Sequence, residues 1–229
     1  MKTVIIHGQS HKGSTYHIAH ELALKVGGEI TEFFLPRDMG EFCIGCTQCF
    51  IKGETNCPHY EKIVPITKAL NDADLIILES PVYVYHATGA MKAFLDHYGY
   101  RWMPHRPEEA MFSKQGVCIS TAAGAGTKSA NKDMSDSLFF WGVGKIYKLG
   151  FNVAAVSWET ISEKKKKKII SGINDTANKI NKKYGKVKPG FKTKFFFNIM
   201  RMLQKKVDNP IDVKHWEDKG WLGKKRPWK

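Results

Sequence analysis

Short β-branched runs alternate along this chain with stretches whose apolar residues recur every three or four positions. Thr3 to Ile6 (TVII) is followed by a helical spacing of Ile18, Leu22 and Val26 that Gly27 and Gly28 end. Glu29 to Leu35 alternates like a strand, and Tyr60 to Leu70 has helical spacing. Asp74 to Leu78 (DLIIL) precedes a helical stretch from Ala87 to Tyr98. Gly116 to Ser120 (GVCIS) leads into a small-residue loop and a helix expected to run to about Leu149. Asn152 to Val156 (NVAAV) is the expected fifth strand, and Ile161 to Tyr184 a lysine-rich closing helix. Continuous apolar strands suit a sheet buried on both faces, so the expected architecture is α/β, a doubly wound five-stranded parallel sheet.

The 229 residues suit one domain with an appendage, expected as a body over 1–185 and an extension over 186–229. With 42% hydrophobic and 25% charged residues, a full core can form. No stretch is apolar enough for a membrane span, and only three apolar residues precede His7, too few for a signal peptide. A cytoplasmic location is the expectation. The net charge of +14 is lopsided: residues 163–229 hold 21 Lys+Arg against 6 Asp+Glu, while the body is near neutral. Lys192 to Lys206 (KTKFFFNIMRMLQKK) is a basic amphipathic helix, followed by Trp216, Trp221 and Trp228. It is expected to fold across the body or a partner subunit, with a membrane surface as the sharper alternative. Glu163 to Lys168 (EKKKKK) reads as a solvated helix start, and nucleic acid as an unlooked-for partner, since no binding module surrounds it.

Ligands of such sheets bind beyond the carboxyl ends of the strands. The first loop, HGQSHKGST, opens a helix with Ser10, Lys12, Gly13, Ser14 and Thr15, which suits a phosphate. Ser14 stands where a nucleotide P-loop needs lysine, so a triphosphate cradle is disfavoured. In the second, SPVYVYHATG, Pro81 breaks the strand and places Tyr83 and Tyr85 at the ligand edge. The third, STAAGAG, leaves room beside Thr121, Ala122, Ala123 and Gly124.

On SPVYVYHATGAMKAFLDH, the chain resembles the flavodoxin-like NAD(P)H-dependent FMN reductases, and HGQSHKGST and STAAGAG look like their other two flavin loops. The resemblance covers about residues 1–185. It implies a flavodoxin-like fold, an FMN whose phosphate sits on Ser10, Lys12, Gly13, Ser14 and Thr15, and a flavin ring between Pro81, Val82, Tyr83, Val84 and Thr121, Ala122, Ala123, Gly124. Hydride chemistry then belongs to the flavin, and no protein acid–base pair is required. The implied reaction passes electrons from NAD(P)H to a quinone-, nitro- or flavin-like acceptor, in a homodimer. Tyr85, His86, Arg101 and Arg106 are the candidates for the substrate side, the arginines for nicotinamide phosphates.

Four of the five cysteines, Cys43, Cys46, Cys49 and Cys57, fall within fifteen residues. In a reducing compartment such a cluster favours metal or redox roles over disulfides. Iron–sulfur flavoproteins, a branch of the same family, carry a compact Cys-x-x-Cys-x-x-Cys…Cys run here that binds a four-iron cluster. That resemblance implies an electron-transfer protein, with ferredoxin-like or other acidic redox partners suited to the basic extension. Reduced thiols, or zinc with His59, remain alternatives. Cys118 lies in a strand and is expected in the core.

Overall fold

The computed structural model describes residues 1–229. Five parallel strands, β1 (Lys2–His7), β2 (Glu29–Phe34), β3 (Leu75–Pro81), β4 (Gln115–Ala122) and β5 (Lys145–Asn152), lie in the order β2-β1-β3-β4-β5. Val4 pairs with Ile76 of β3 and Thr31 of β2, so the chain order reverses between β1 and β3. That reversal opens a crevice at the carboxyl ends of these two strands.

Helices cover both faces. α1 (Ser14–Val26) and α6 (Glu163–Lys183) bury Ile18, Leu22, Ile173 and Ile180 against Ile5, Ile77 and Ile119. Beyond the four-residue α2 (Gln48–Ile51), the other face is covered by α3 (Tyr60–Asp72), α4 (Gly89–Asp96) and α5 (Thr127–Phe140). Ile66, Phe94 and Leu138 pack there on Val4, Ile6, Ile76 and Leu78. Alternate side chains of one strand thus feed two cores, which is why the central strands read as unbroken apolar runs.

One expectation fails. The fifth strand is Lys145–Asn152, not Asn152 to Val156, and α5 stops at Phe140 rather than near Leu149. Gly142 takes a φ of 89° directly after the helix, and a Cβ there would meet the Phe112 ring at 2.7 Å. β5 is an edge strand with alternating exposure, so its lysines break the apolar run that marks the inner strands. Residues 153–156 instead form a loop beyond the sheet.

The chain after Gly185 forms α7 (Phe191–Gln204) and α8 (Pro210–Asp218). Phe197, Met200, Trp216 and Trp221 bury themselves with Met103 and Phe112 in a third core. Phe197 packs on Trp216 at 4.7 Å between ring centres. The extension folds across its own body. No helix is long and apolar enough to cross a membrane.

Candidate functional site

Three loops meet at the crevice and are stitched together by hydroxyls. Thr88 caps α4 by accepting from the Met91 amide (3.1 Å) and donates to the Gly8 carbonyl (2.6 Å), joining second loop to first. The Thr15 and Thr121 hydroxyls lie 2.6 Å apart and join first to third. Gly8 is required where β1 ends, because a Cβ would come within 2.8 Å of the Glu79 carbonyl.

The cleft between these loops, about 240 Å³, is lined by Gly13, Ser14, Thr15, Pro81, Val82, Tyr83, Thr121, Ala122 and Ala123, all read from the sequence. Gln9, His11, Tyr16, Glu79, Val153, Ala155 and Val156 complete it and were missed. The last three belong to the loop taken for a strand. Four expected residues stand outside its wall. Ser10 donates to the Leu35 carbonyl at 3.2 Å, and the Lys12 ammonium sits 5.0 Å from the centre of the Tyr16 ring. Val84 and Gly124 face away as exposed positions.

α1 begins at the cleft with Gly13 as its N-cap and no side-chain cap. Its first-turn amides therefore have no helical acceptor, and no acidic residue occupies that turn. The end of α1 can accept an anion with several N–H donors and the positive end of the helix dipole.

At the mouth, Tyr83 and His86 exchange two 3.0 Å backbone bonds around Val84 (φ 47°) and Tyr85 (φ 67°). Left-handed backbone at a β-branched, solvent-exposed valine is costly, so the turn is held by its surroundings. Tyr83 donates to Gln9 at 2.6 Å, while Asp133 accepts from the Ala87 amide (3.1 Å) and lies 3.0 Å from His86 Nδ1. Tyr85 and His86 thus stand at the rim.

Arg101 and Arg106 require correction. Both are buried, and neither lines the cleft. Arg101 bonds Asn71. Arg106 pairs with buried Asp212 of α8 and bonds the Cys49 carbonyl, with Glu54 at 3.3 Å. His105 lies 2.8 Å from the same aspartate. Both guanidiniums lie buried away from the cleft, so their charge is not offered to a phosphate there.

Beneath the cleft, His7 is fully buried, with Nδ1 2.8 Å from Glu79 Oε1 and Nε2 3.0 Å from Glu32 Oε1. His7 of β1 thus ties Glu79 of β3 to Glu32 of β2 across the floor of the crevice. Burial pushes the Glu79 carboxyl up, and His7 opposes that shift. A glutamate inside the apolar run LIILES was the available signal.

The cysteine loop lies on the α3–α5 side. Cys43, Cys46, Cys49 and Cys57 line one small cavity with His59 and His97. Burial raises the Cys49 thiol, and the neighbouring Cys57, Cys43 and Cys46 raise it further. Ligand atoms of Cys57, His59 and His97 fall within 4.8 Å of one another, with His59 Nδ1 2.9 Å from His97 Nε2. Cys118 is buried in the core, as expected.

The chain is similar to several known proteins. An iron–sulfur flavoprotein of Archaeoglobus fulgidus is 30% identical over 159 residues, 67% of this chain and 70% of that protein. A flavone reductase structure superposes with a TM-score of 0.57 at 16% identity over 80% of this chain, which spans 62% of that protein. An FMN-dependent NADH-azoreductase from Bacillus anthracis, in complex with FMN, superposes at 0.58 with 11% identity over 79% of this chain and all of that one. These two likenesses speak to the fold, which is flavodoxin-like. The model of the NADPH-dependent FMN reductase family matches residues 1–156, more than half of the chain, and the chain belongs to that family of flavin oxidoreductases.

Proposed function

We propose that the protein is an FMN-dependent oxidoreductase that takes a hydride from NADH or NADPH and passes electrons to a quinone-, nitro- or flavin-like acceptor. The carrying observation is the cleft at the strand-order reversal, open at the N-terminus of α1 and walled by small residues. Its donor set fits the cofactor. The amides of the first turn of α1 and the Ser14 hydroxyl would hold the phosphate, and Pro81, Val82 and Tyr83 would face Thr121, Ala122 and Ala123 across the ring. Bound FMN supplies hydride acceptance and one- or two-electron transfer. The chain binds, orients and excludes water; Tyr83, fixed by Gln9, shields one side of the cleft. The exposed Tyr83, Val84 and Tyr85 suit a second copy closing the mouth, in a homodimer.

A second reading is supported by the convergence of four thiols on one cavity and by the iron–sulfur name of the Archaeoglobus relative. In it, Cys43, Cys46, Cys49 and Cys57 hold a four-iron cluster and the protein moves single electrons to an acidic partner. The deciding measurement is a visible spectrum of anaerobically purified protein, with iron and acid-labile sulfide on the same sample. Flavin with NAD(P)H oxidation and no iron supports the first reading. About four irons per chain support the second. A chain that takes up no FMN overturns both.

A further inference from the structure

α7 has two apolar faces. Thr193, Phe197, Met200 and Gln204, spaced by four, three and four, are buried against the body. Phe191, Phe195 and Met202, spaced by four and seven, form a second stripe on the opposite side of the helix. These three are 80%, 58% and 56% exposed. The rings of Phe191 and Phe195 stack at 5.9 Å on the outer surface. A helix needs one apolar stripe to dock, and this one keeps a second that the fold does not use.

Cations flank the unused stripe. Lys194 falls on one side of it by helical angle and Lys192 on the other, and Lys205 and Lys206 follow directly where the helix ends. None of the four forms an ion pair. Residues 176 to 207 contain ten Lys+Arg and no acidic residue. The C-terminal arm adds to this surface: Lys194 lies 6.0 Å from the Trp228 ring, and Arg201 donates to the Gly223 carbonyl at 3.1 Å.

We propose that α7 is an interfacial docking helix that lays Phe191, Phe195 and Met202 into an anionic lipid bilayer surface while its lysines meet the headgroups. The charge decides among occupants. Two copies of this surface repel each other, so self-association through α7 is opposed. Anionic headgroups satisfy cations on both flanks of a straight apolar stripe, with long lysine stems reaching outward. The helix is already folded through its inner face, so binding carries little ordering cost. The protein would lie on the membrane and not cross it.

The test is co-sedimentation of the full chain with vesicles of phosphatidylglycerol mixed with phosphatidylcholine, against phosphatidylcholine alone. Sedimentation with the mixed vesicles only, weakened by salt, is expected. The variant Phe191→Ser/Phe195→Ser/Met202→Ser should lower vesicle partition about tenfold or more, equivalent to about 1.4 kcal/mol. All three positions face solvent, so its thermal unfolding should match the wild type, which separates lost docking from lost fold. No sedimentation at low salt overturns the proposal, as does a triple variant that partitions like the wild type. Retention on an immobilised acidic protein, with no vesicle binding, would replace the bilayer by a protein partner.

Discussion

Cys118 and the loop cysteines show how one residue type divides by environment. Cys118 sits inside β4 with no exposed surface, and burial pushes its thiol far above the ordinary range. Cys43 is exposed, and Cys46, Cys49 and Cys57 are half-buried. In reduced protein free of metal, a thiol reagent should titrate four cysteines under native conditions and the fifth only on unfolding. Five thiols reacting at one rate would contradict this placement. Lys114 offers a second residue-scale test. Its ammonium is buried beneath β4, donating to the Asn71 carbonyl at 2.6 Å and to that of Ala73. Burial, and then the charge of Arg101, lowers it from 10.5 to about 8. Between those values the unfolded chain holds a proton that the folded chain has lost, so stability rises with pH there, and the cost is fully present below about 8. Wild type should therefore gain on Lys114→Met by on the order of 1 kcal/mol as pH rises through that window, read by denaturant unfolding at several pH values. Parallel stabilities would exclude the assignment.

At the scale of elements, the N-terminus of α1 separates helix stability from ligand binding. Ser14→Asp adds a carboxylate to a first turn that has none, favourable to the helix dipole by about 0.3–1 kcal/mol. The same charge opposes a phosphate at that turn. Flavin-free protein should melt no lower than wild type, while FMN affinity, measured by fluorescence quenching, should fall more than tenfold, about 1.4 kcal/mol. Unchanged affinity would remove this turn from the cofactor site. The elements themselves were legible where apolar periodicity was clean, as in β1, β3, β4 and α1, although β3 runs past the expected Leu78 and pairs Pro81 with Thr121 instead of breaking there. Legibility failed at β5, where Lys145 and Lys148 alternate with apolar residues on an exposed edge and resemble a helix surface as much as a strand. Only the left-handed Gly142, pressed on Phe112, marks the true break.

Across the whole molecule, the extension braces the cysteine loop. Asp212 of α8 binds Arg106, Arg106 reaches the Cys49 carbonyl, and Asn209 donates to the Phe50 carbonyl at 3.3 Å. Removing one partner of such a buried pair strands the other charge, at about 3–5 kcal/mol. Asp212→Ala should lose stability on that scale in urea unfolding. It should also speed the reaction of Cys49 with a thiol reagent, located by mass spectrometry of the labelled peptide. A destabilised variant with unchanged Cys49 reactivity would confine Asp212 to the third core. The arginines of YRWMPHRP could not be read correctly without α8, because their partners lie roughly a hundred residues later, or, for Arg101, on another helix.

The sequence by itself determined the alternating α/β architecture, the three loops and the thiol cluster. Each rests on local chemistry: apolar periodicity, Gly/Ser/Thr turns, and spacing within one segment. The tertiary structure decided the rest. It buried Arg101 and Arg106, set Lys12 against Tyr16, joined His7 to Glu79 and Glu32, and brought Val153, Ala155 and Val156 to the cleft wall. A charged or polar side chain takes its role from whichever group the fold places within about 3 Å, and residues distant in the chain supply that group.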